Sequence, residues 1–288
     1  MSRSALVVGA GGALGEAVAR ELARNGWRVT ASMRQAYAGP SARLAALGVE
    51  LARCDVCVDP HWLTLAAGRD AIIFTSRIEI SLAALERLAQ APSRVVVFSS
   101  NNVAIDQRAA TYRAIESAEV AVQARAASYA ILRPTLIYGD PRLVTVARLM
   151  RWARGVCMPL PGHGRARMQP VFYEDLARVA AGLAEAGAPS GVFAAGGPEV
   201  LSMRALYEAV RGAANGAAPI VAIPAVALKI CAPLSGGLFS PEQAARADQD
   251  RVAIAQDALP IALAPRTSLA EGLAHLRRLM DAEAQSGG

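Results

Sequence analysis

Lysine is almost missing from this chain. Lys229 is the one lysine in 288 residues, so 29 of the 30 basic side chains are arginines. That bias suits a GC-rich genome better than a dedicated polyanion, because the arginines are scattered and aromatic residues make up only 5%. A basic stripe with interleaved stacking residues is absent, which removes nucleic acid as an expected partner. The formal charge of +6 still suits an anionic small molecule. Cysteine is sparse as well: Cys54, Cys57, Cys157 and Cys231, with no histidine at metal-ligand spacing. Neither a metal site nor a redox pair is expected, and the thiols read as buried and free in a reducing cytosol.

Long apolar runs are also wanting. Residues 218–239 come nearest, but Pro219, Pro224, Lys229 and Pro233 interrupt them, so no membrane span is expected. The early run SALVVGAGG ends in glycines rather than in a cleavable segment, which makes the cytoplasm the expected location.

What the chain has in plenty is apolar residues, 53% of the total against 19% charged, enough to bury a large core. Short β-rich runs at 5–8, 27–33, 48–52, 70–75, 94–100 and 128–134 alternate with alanine-rich stretches at 14–25, 41–47, 60–67, 79–90 and 108–126. This rhythm predicts an α/β fold, a Rossmann-type doubly wound parallel sheet. After Pro134 the rhythm changes. Residues 140–170 read as a helix followed by a long Pro- and Gly-rich loop, and helix 174–186 with GVFAAGG (191–197) is expected to return to the sheet. The division predicted is a dinucleotide-binding core of 1–135 plus about 172–197. A smaller mixed α/β substrate lobe takes about 136–171 and 198–288 and ends in helix 268–284. No internal repeat is present, and the closing SGG reads as disordered.

Gly9, Gly12 and Gly15 stand between the first strand and the first helix, in VVGAGGALG. A pyrophosphate must come close to the backbone to meet amides at a helix N-terminus, and side chains there would block it. The strand before and the helix after give this glycine pattern its context. A tight turn without a ligand is the alternative. At the end of the second strand, in Thr30-Ala31-Ser32-Met33-Arg34, no carboxylate waits for a ribose 2′-hydroxyl; Ser32 and Arg34 could hold a 2′-phosphate instead. That favours NADP(H) over NAD(H), unless Arg34 is an ordinary solvated loop arginine.

These residues resemble the short-chain dehydrogenase/reductase superfamily, in its extended and atypical branches of NAD-dependent epimerase/dehydratases and NmrA-like proteins. The glycines match G-x-x-G-x-x-G. Phe98-Ser99-Ser100 is similar to the end of the family's fifth strand, and LRPTLIYG (132–139) to its LRP-x-x-x-YG signature. PGHG (161–164) and QPVFYEDL (169–176) resemble two later segments. The resemblance implies cofactor contacts from Gly9, Ala10, Gly12, Ala13, Leu14, Gly15, Ser32, Arg34, Asp55, Thr75 and Pro134, with Asp55 at the adenine. It implies a catalytic pair, Tyr112 as proton donor and Ser100 at the substrate oxygen. Arg167 adjoins Met168, which stands where the family's nucleotide-sugar enzymes carry a diphosphate-binding arginine, and Phe172 stands in place of a histidine. A homodimer through helices 79–90 and 108–126 is permitted. His163 reads as a loop residue.

One departure divides the functional reading. In working members a lysine four residues after the tyrosine supports its phenolate; here that residue is Glu116. Losing a positive charge at ~5 Å, at an effective dielectric of about 20, forfeits roughly 3 kcal/mol of phenolate stabilisation. Donating a proton to a nascent alkoxide suffers less than abstracting one from an alcohol. Arg113 or Arg108 could supply charge but cannot lose a proton. Two readings stay open: an NADP(H)-dependent oxidoreductase or epimerase-like enzyme acting on a small substrate, nucleotide sugars included, or a redox-inactive dinucleotide-binding sensor or scaffold. Tyr112 could equally be a helix-surface aromatic at a contact.

Overall fold

A computed structural model describes residues 3–35, 38–90, 92–106, 109–224 and 249–286. The chain divides into two compact units. Unit 1 takes Met1–Thr135, Tyr173–Ala195 and Ala253–Pro265, and unit 2 takes Leu136–Phe172, Gly196–Val252 and Arg266–Gly288.

Unit 1 is built on seven strands: β1 (Ser4–Val8), β2 (Arg28–Met33), β3 (Glu50–Arg53), β4 (Ala71–Phe74), β5 (Val95–Phe98), β6 (Tyr129–Pro134) and β11 (Gly191–Ala195). They form one sheet in the order β11-β6-β5-β4-β1-β2-β3, and every pair is parallel. Numbering runs outward from β1 in both directions, so the strand order reverses beside it, where α/β sheets of this kind take their ligands. Each residue of β1 is buried, because helices cover both faces. On one face α1 (Ala13–Arg24) packs on α8 (Tyr173–Leu183) and on α2 (Ala38–Ala45). On the other, Leu6, Val8, Ile72, Phe74, Val95, Val97 and Ile131 meet Trp62 and Leu65 of α3 (His61–Ala66), Ala84 and Leu85 of α4 (Ile78–Glu86), and Ala118 and Val122 of α6 (Ala110–Arg125). A short helix, α5 (Asn102–Ile105), lies between β5 and α6.

Local sequence explains these elements. In α1, Leu14, Val18 and Leu22 recur every four residues and are buried. The helix ends at Gly26, whose φ of +80° lets Trp27 N–H reach the carbonyl of Leu22 at 3.1 Å, a glycine-terminated C-cap.

The third segment of unit 1 corrects the expected division. Residues 253–265 were assigned to the smaller lobe, yet they belong with the sheet: Asp257 N–H donates to Val192 O at 3.0 Å, and Val192 N–H donates to Asp257 Oδ2 at 2.7 Å. The open side of edge strand β11 needs partners for its backbone groups, and this segment supplies some of them.

Unit 2 contains α7 (Val144–Ala153), α9 (Met203–Ala213) and α10 (Leu269–Ser286), with three two-stranded pieces. β7 (Leu136–Tyr138) pairs with β10 (Pro170–Phe172), β8 (Met158–Pro161) with β13 (Ile220–Ile223), and β9 (Arg167–Met168) with β12 (Leu201–Ser202). The loop expected within 140–170 is therefore largely structured. Its strands are two to four residues long, too short for an alternating pattern to emerge against so many prolines and glycines. Ser202 caps α9, its Oγ accepting from Ala205 N–H at 3.1 Å. Among the described residues no helix is long and apolar enough to cross a membrane; most of 218–239, Lys229 and Cys231 included, lies outside them.

Candidate functional site

The glycine turn after β1 assigns each of its residues a separate task. Gly9 has φ +88°, and the amides of Gly9 and Ala10 both donate to the Ser32 carbonyl, at 3.0 and 3.1 Å. Those two amides therefore fix the turn rather than stay available to a ligand. Gly12 is the N-cap of α1 and offers no capping side chain, so the first-turn amides of Ala13, Leu14 and Gly15 open the helix without an intrahelical acceptor. A Cβ on Gly12 would meet only Gly9 O, at 3.6 Å, so the space beside this amide is open. A Cβ on Gly15 would lie 2.3 Å from Gly9 O and 2.6 Å from Thr75 Oγ1. Thr75 itself donates to Val8 O at 2.9 Å and buttresses the turn from β4. Such a cradle, open at Gly12 and closed at Gly15, fits the diphosphate of a dinucleotide at a helix N-terminus. Glu16, 3% exposed and in the same first turn, is neutralised by a two-pronged ion pair with Arg43 of α2.

Around the expected adenosine end, Arg34 follows β2 and is exposed, and Arg53 at the end of β3 donates through Nε to Arg34 O at 3.3 Å. The buried Ser32 Oγ has no hydrogen-bond partner. Asp55 turns its Oδ1 to Cys57 N–H at 3.0 Å, a local Asx turn, and Arg87 holds the same loop through the carbonyls of Val56 and Asp59. Burial, and then Asp59 and Asp55, push the Cys54 thiol up, which makes it inert. Cys57 and Cys157 are exposed, contrary to the expectation of buried thiols: each sits in a loop, where no apolar face demands burial. Among the described residues no cluster of His, Cys, Asp and Glu could hold a metal ion.

Beyond β5 the two expected catalytic residues both contact Asn102. Ser100 Oγ accepts from the backbone N–H of Asn102 at 3.3 Å, a local contact. Tyr112, on α6, is 8% exposed, and Asn102 Nδ2 donates to its Oη at 3.3 Å. Ser99 is turned inward to donate to Glu119, and Glu119, 1% exposed, forms a forked ion pair with Arg133, its Oε1 2.9 Å from Arg133 Nε. The arginine of the LRP motif thus ties β6 to α6. Pro134 O accepts from Asn101 N–H at 3.2 Å, and Asn101 Oδ1 accepts from Ile254 N–H at 3.0 Å. Glu116 lies one turn after Tyr112 on α6 and is half-buried.

Unit 2 holds a second candidate. A recess of about 80 Å³ is lined by Leu149, Trp152, Met168, Met203, Tyr207 and two arginines, Arg148 and Arg251. Nε of Arg148 is buried with no hydrogen-bond partner, and its guanidinium carbon lies 5.1 Å from the Trp152 ring centre. Among the described residues no carboxylate lines the recess. Met168, where the resemblance led one to expect an arginine, lines it and is bridged to Arg251 on the neighbouring segment. Burial pushes the Tyr207 phenol far above its ordinary value, so it stays protonated and donates to Pro159 O at 3.2 Å. Arg167, expected at an anion, is exposed and paired with Asp250 through Nε at 2.7 Å and the backbone N–H at 2.7 Å. His163 is exposed. Asn102, Glu119, Arg148, Tyr207 and Arg251 were not found from sequence.

The turn and sheet define a dinucleotide-binding α/β fold. Residues 5–87 match the NAD dependent epimerase/dehydratase family, and over nearly its whole length the chain shares its fold with solved epimerase and dehydratase structures. No curated protein matches the chain in sequence. Among solved structures it is similar to UDP-glucuronic acid 4-epimerase from Bacillus cereus in complex with UDP-glucuronic acid and NAD, at 15% identity over 97% of this chain and 99% of that one, TM-score 0.70. UDP-glucose 4-epimerase from Thermotoga maritima with UDP-glucose gives 16% identity, 98% and 99% coverage and a TM-score of 0.72. dTDP-glucose 4,6-dehydratase from Bacillus anthracis in complex with NAD gives 11%, 99% and 98%, and 0.71.

Proposed function

We propose that this protein is a nicotinamide-dinucleotide-dependent oxidoreductase of the epimerase/dehydratase type, acting on a carbonyl or hydroxyl of a small anionic substrate such as a nucleotide sugar. The observation that carries it is the cradle at Gly9, Gly12 and Gly15, open at Gly12 and closed against β1 and β4 elsewhere. Ala13 and Leu14 would hold the diphosphate through their amides. Arg34 and Ser32 would take a 2′-phosphate, so NADP(H) is preferred to NAD(H), and Asp55, Val56 and the loop held by Arg87 would border the adenine. The bound nicotinamide supplies hydride transfer, and Tyr112 supplies or receives the accompanying proton.

Arg148, with an unsatisfied buried Nε beside Trp152, supports recognition of the anionic part of the substrate. An unmade hydrogen bond to a charged group costs about 1–3 kcal/mol, which an incoming phosphate oxygen would remove. Arg148→Ala should weaken UDP binding about tenfold to a hundredfold in calorimetry, with Arg148→Lys in between. Equal affinity in all three proteins would take Arg148 out of the site.

Glu116 favours a second reading, a dinucleotide-binding sensor or scaffold without redox turnover. Titration with NADPH and NADH, followed by turnover with carbonyl compounds and nucleotide sugars, separates the two. Tight binding with no turnover supports the sensor, and no binding of either dinucleotide removes both.

A further inference from the structure

Five residues of unit 1 stand immediately before a strand of the sheet: Arg3 before β1, Trp27 before β2, Asp70 before β4, Arg94 before β5 and Ser128 before β6. With Ser93 and the turn that follows α8 they line a pocket of about 310 Å³. It lies at the opposite end of these strands from the glycine turn, about 15 Å away along a five-residue strand such as β1. A volume of that size admits a small molecule. Arg94 sets the chemistry. It is 5% exposed, and the groups it donates to are neutral: Leu183 O at 2.7 Å, Pro189 O at 2.8 Å, Ser128 Oγ at 3.0 Å and Ser190 Oγ at 3.2 Å. Burial pulls its pKa below the ordinary arginine value, and among the described residues no carboxylate opposes that shift. The two carboxylates of the lining are engaged elsewhere, Glu185 with Arg3 and Trp27, and Asp70 with Ser4. A buried charge without an opposite one is costly. Leu183 ends α8, and a helix C-terminus supplies about half an elementary charge, so roughly half of the guanidinium charge stays unbalanced.

We propose that this pocket is a second ligand site, that it takes a small organic acid bearing one carboxylate, and that Arg94 provides the opposite charge. The lining decides the number of charges. Arg3 and Arg94 are matched by Asp70 and Glu185, so an anion of two or more charges finds no net attraction there. A phosphate group carries about −1.5 to −2 at neutral pH and is disfavoured for that reason. A carboxylate brings one charge and two acceptor oxygens, and Ser93 and Ser128 add hydroxyl donors to the lining without adding charge. The pocket shares no residue with the glycine turn, so the acid and a dinucleotide bind at the same time.

The test uses the full-length protein with benzoate as the probe, benzamide as its neutral isostere and inorganic phosphate as the more highly charged anion. Binding is read at low ionic strength from the indole N–H resonance of Trp27, assigned by Trp27→Phe. Benzoate should move this resonance saturably, with a dissociation constant of about 1–10 mM for a ligand of that size. Benzamide and phosphate should bind about tenfold more weakly or worse. Ala186→Phe, at an exposed residue of the lining, narrows the pocket and leaves the bonds of Arg94 in place, whereas Arg94→Gln removes the charge. Each should weaken benzoate by about tenfold or more. NADPH affinity, from fluorescence quenching, should stay within about threefold when benzoate is present. A Trp27 resonance unmoved at about 50 mM benzoate overturns the proposal. So does benzamide or phosphate binding as tightly as benzoate, or an affinity unchanged in Ala186→Phe. Should Arg94→Gln fail to fold, the comparison of benzoate with benzamide still reads the charge. Displacement of NADPH by benzoate overturns the separateness of the site, whereas a protein that binds benzoate beside Trp27 and no dinucleotide strikes only the oxidoreductase reading.

Discussion

A methyl group added to Gly15 would stand 2.3 Å from the carbonyl oxygen of Gly9, well inside any real carbon–oxygen contact. The first turn of α1 is thereby pressed against the end of β1, and only a residue without a side chain permits it. Gly12, three residues earlier, has open space where its Cβ would be. The two glycines look alike in the sequence and differ in what they do.

The difference is measurable. Gly15→Ala should destabilise unit 1 by about 1–3 kcal/mol, the usual cost of forcing atoms into a packed site. Gly12→Ala should leave the denaturation midpoint close to wild type while weakening dinucleotide binding about tenfold or more, since its methyl group occupies ligand space and not protein space. Chemical denaturation and NADPH titration of both variants check this. Equal stability losses at the two positions would mean that the turn is only structural.

Glu119 and Arg133 make the second case. Both are buried, and each is the other's main compensation. Removing one partner from such a pair typically costs about 3–5 kcal/mol, because the survivor is left charged and dry. Glu119→Gln and Arg133→Met should therefore each lower stability markedly. The double variant Glu119→Leu with Arg133→Met should recover much of the loss. Additive losses in urea denaturation would contradict a mutual role.

What the sequence made legible follows from which forces act locally. The parallel sheet was readable because buried strands such as Val95–Phe98 are continuous apolar runs, and α1 between β1 and β2 repeats leucine and valine every four residues. The glycine turn was readable because backbone sterics at Gly9 and Gly15 tolerate one residue type. Contacts between distant residues were not. Nothing near Asn102 in the sequence says that α5 will bring it to Tyr112, and nothing near Asp257 says that it will close the edge at Val192. Arg148 was hidden for the same reason: its environment is made by residues from five elements of unit 2 and from the segment that carries Arg251. Arg167, by contrast, was singled out by its neighbour in sequence, while its partner in space is Asp250.

Asp70 gives a pH dependence with a definite sign. Ser4 donates to Asp70 Oδ2 from its backbone N–H at 2.7 Å and from Oγ at 2.8 Å, and these bonds hold the carboxyl below its ordinary value, the backbone contribution first. A depressed folded value means that the contribution to stability is fully present above the unfolded value, about 4. It is lost as the pH falls through the folded value. Because Asp70 is exposed, the effect should be small. Asp70→Asn should therefore bring the thermal midpoint slightly down at pH 7, with the gap from wild type closing toward pH 3. A gap that widens on acidification would reverse the sign and rule the interaction out.

Glu116 offers the sharpest question, because a single substitution restores the lysine that the family resemblance leads one to expect there. It lies one turn after Tyr112 on α6, on the same helical face, and is half-buried. Glu116→Lys exchanges a carboxylate for an ammonium near the phenol and near the place where the cofactor ribose is expected. The charge change of two at ~5 Å, at an effective dielectric of about 20, favours the phenolate by roughly 6 kcal/mol before solvent screening, and by a fraction of that at a half-exposed position. Alcohol oxidation, which needs phenolate as a base, should gain more than carbonyl reduction, which needs only a proton donor. The ratio of oxidation to reduction rates should therefore rise by about tenfold or more in the variant, with the optimum for oxidation moving to lower pH. Initial rates in both directions across a pH series, at saturating dinucleotide, measure it. If both directions stay silent while NADPH binds as tightly as in the wild type, the missing lysine is not what limits this protein, and the sensor reading gains the ground that the enzyme reading loses.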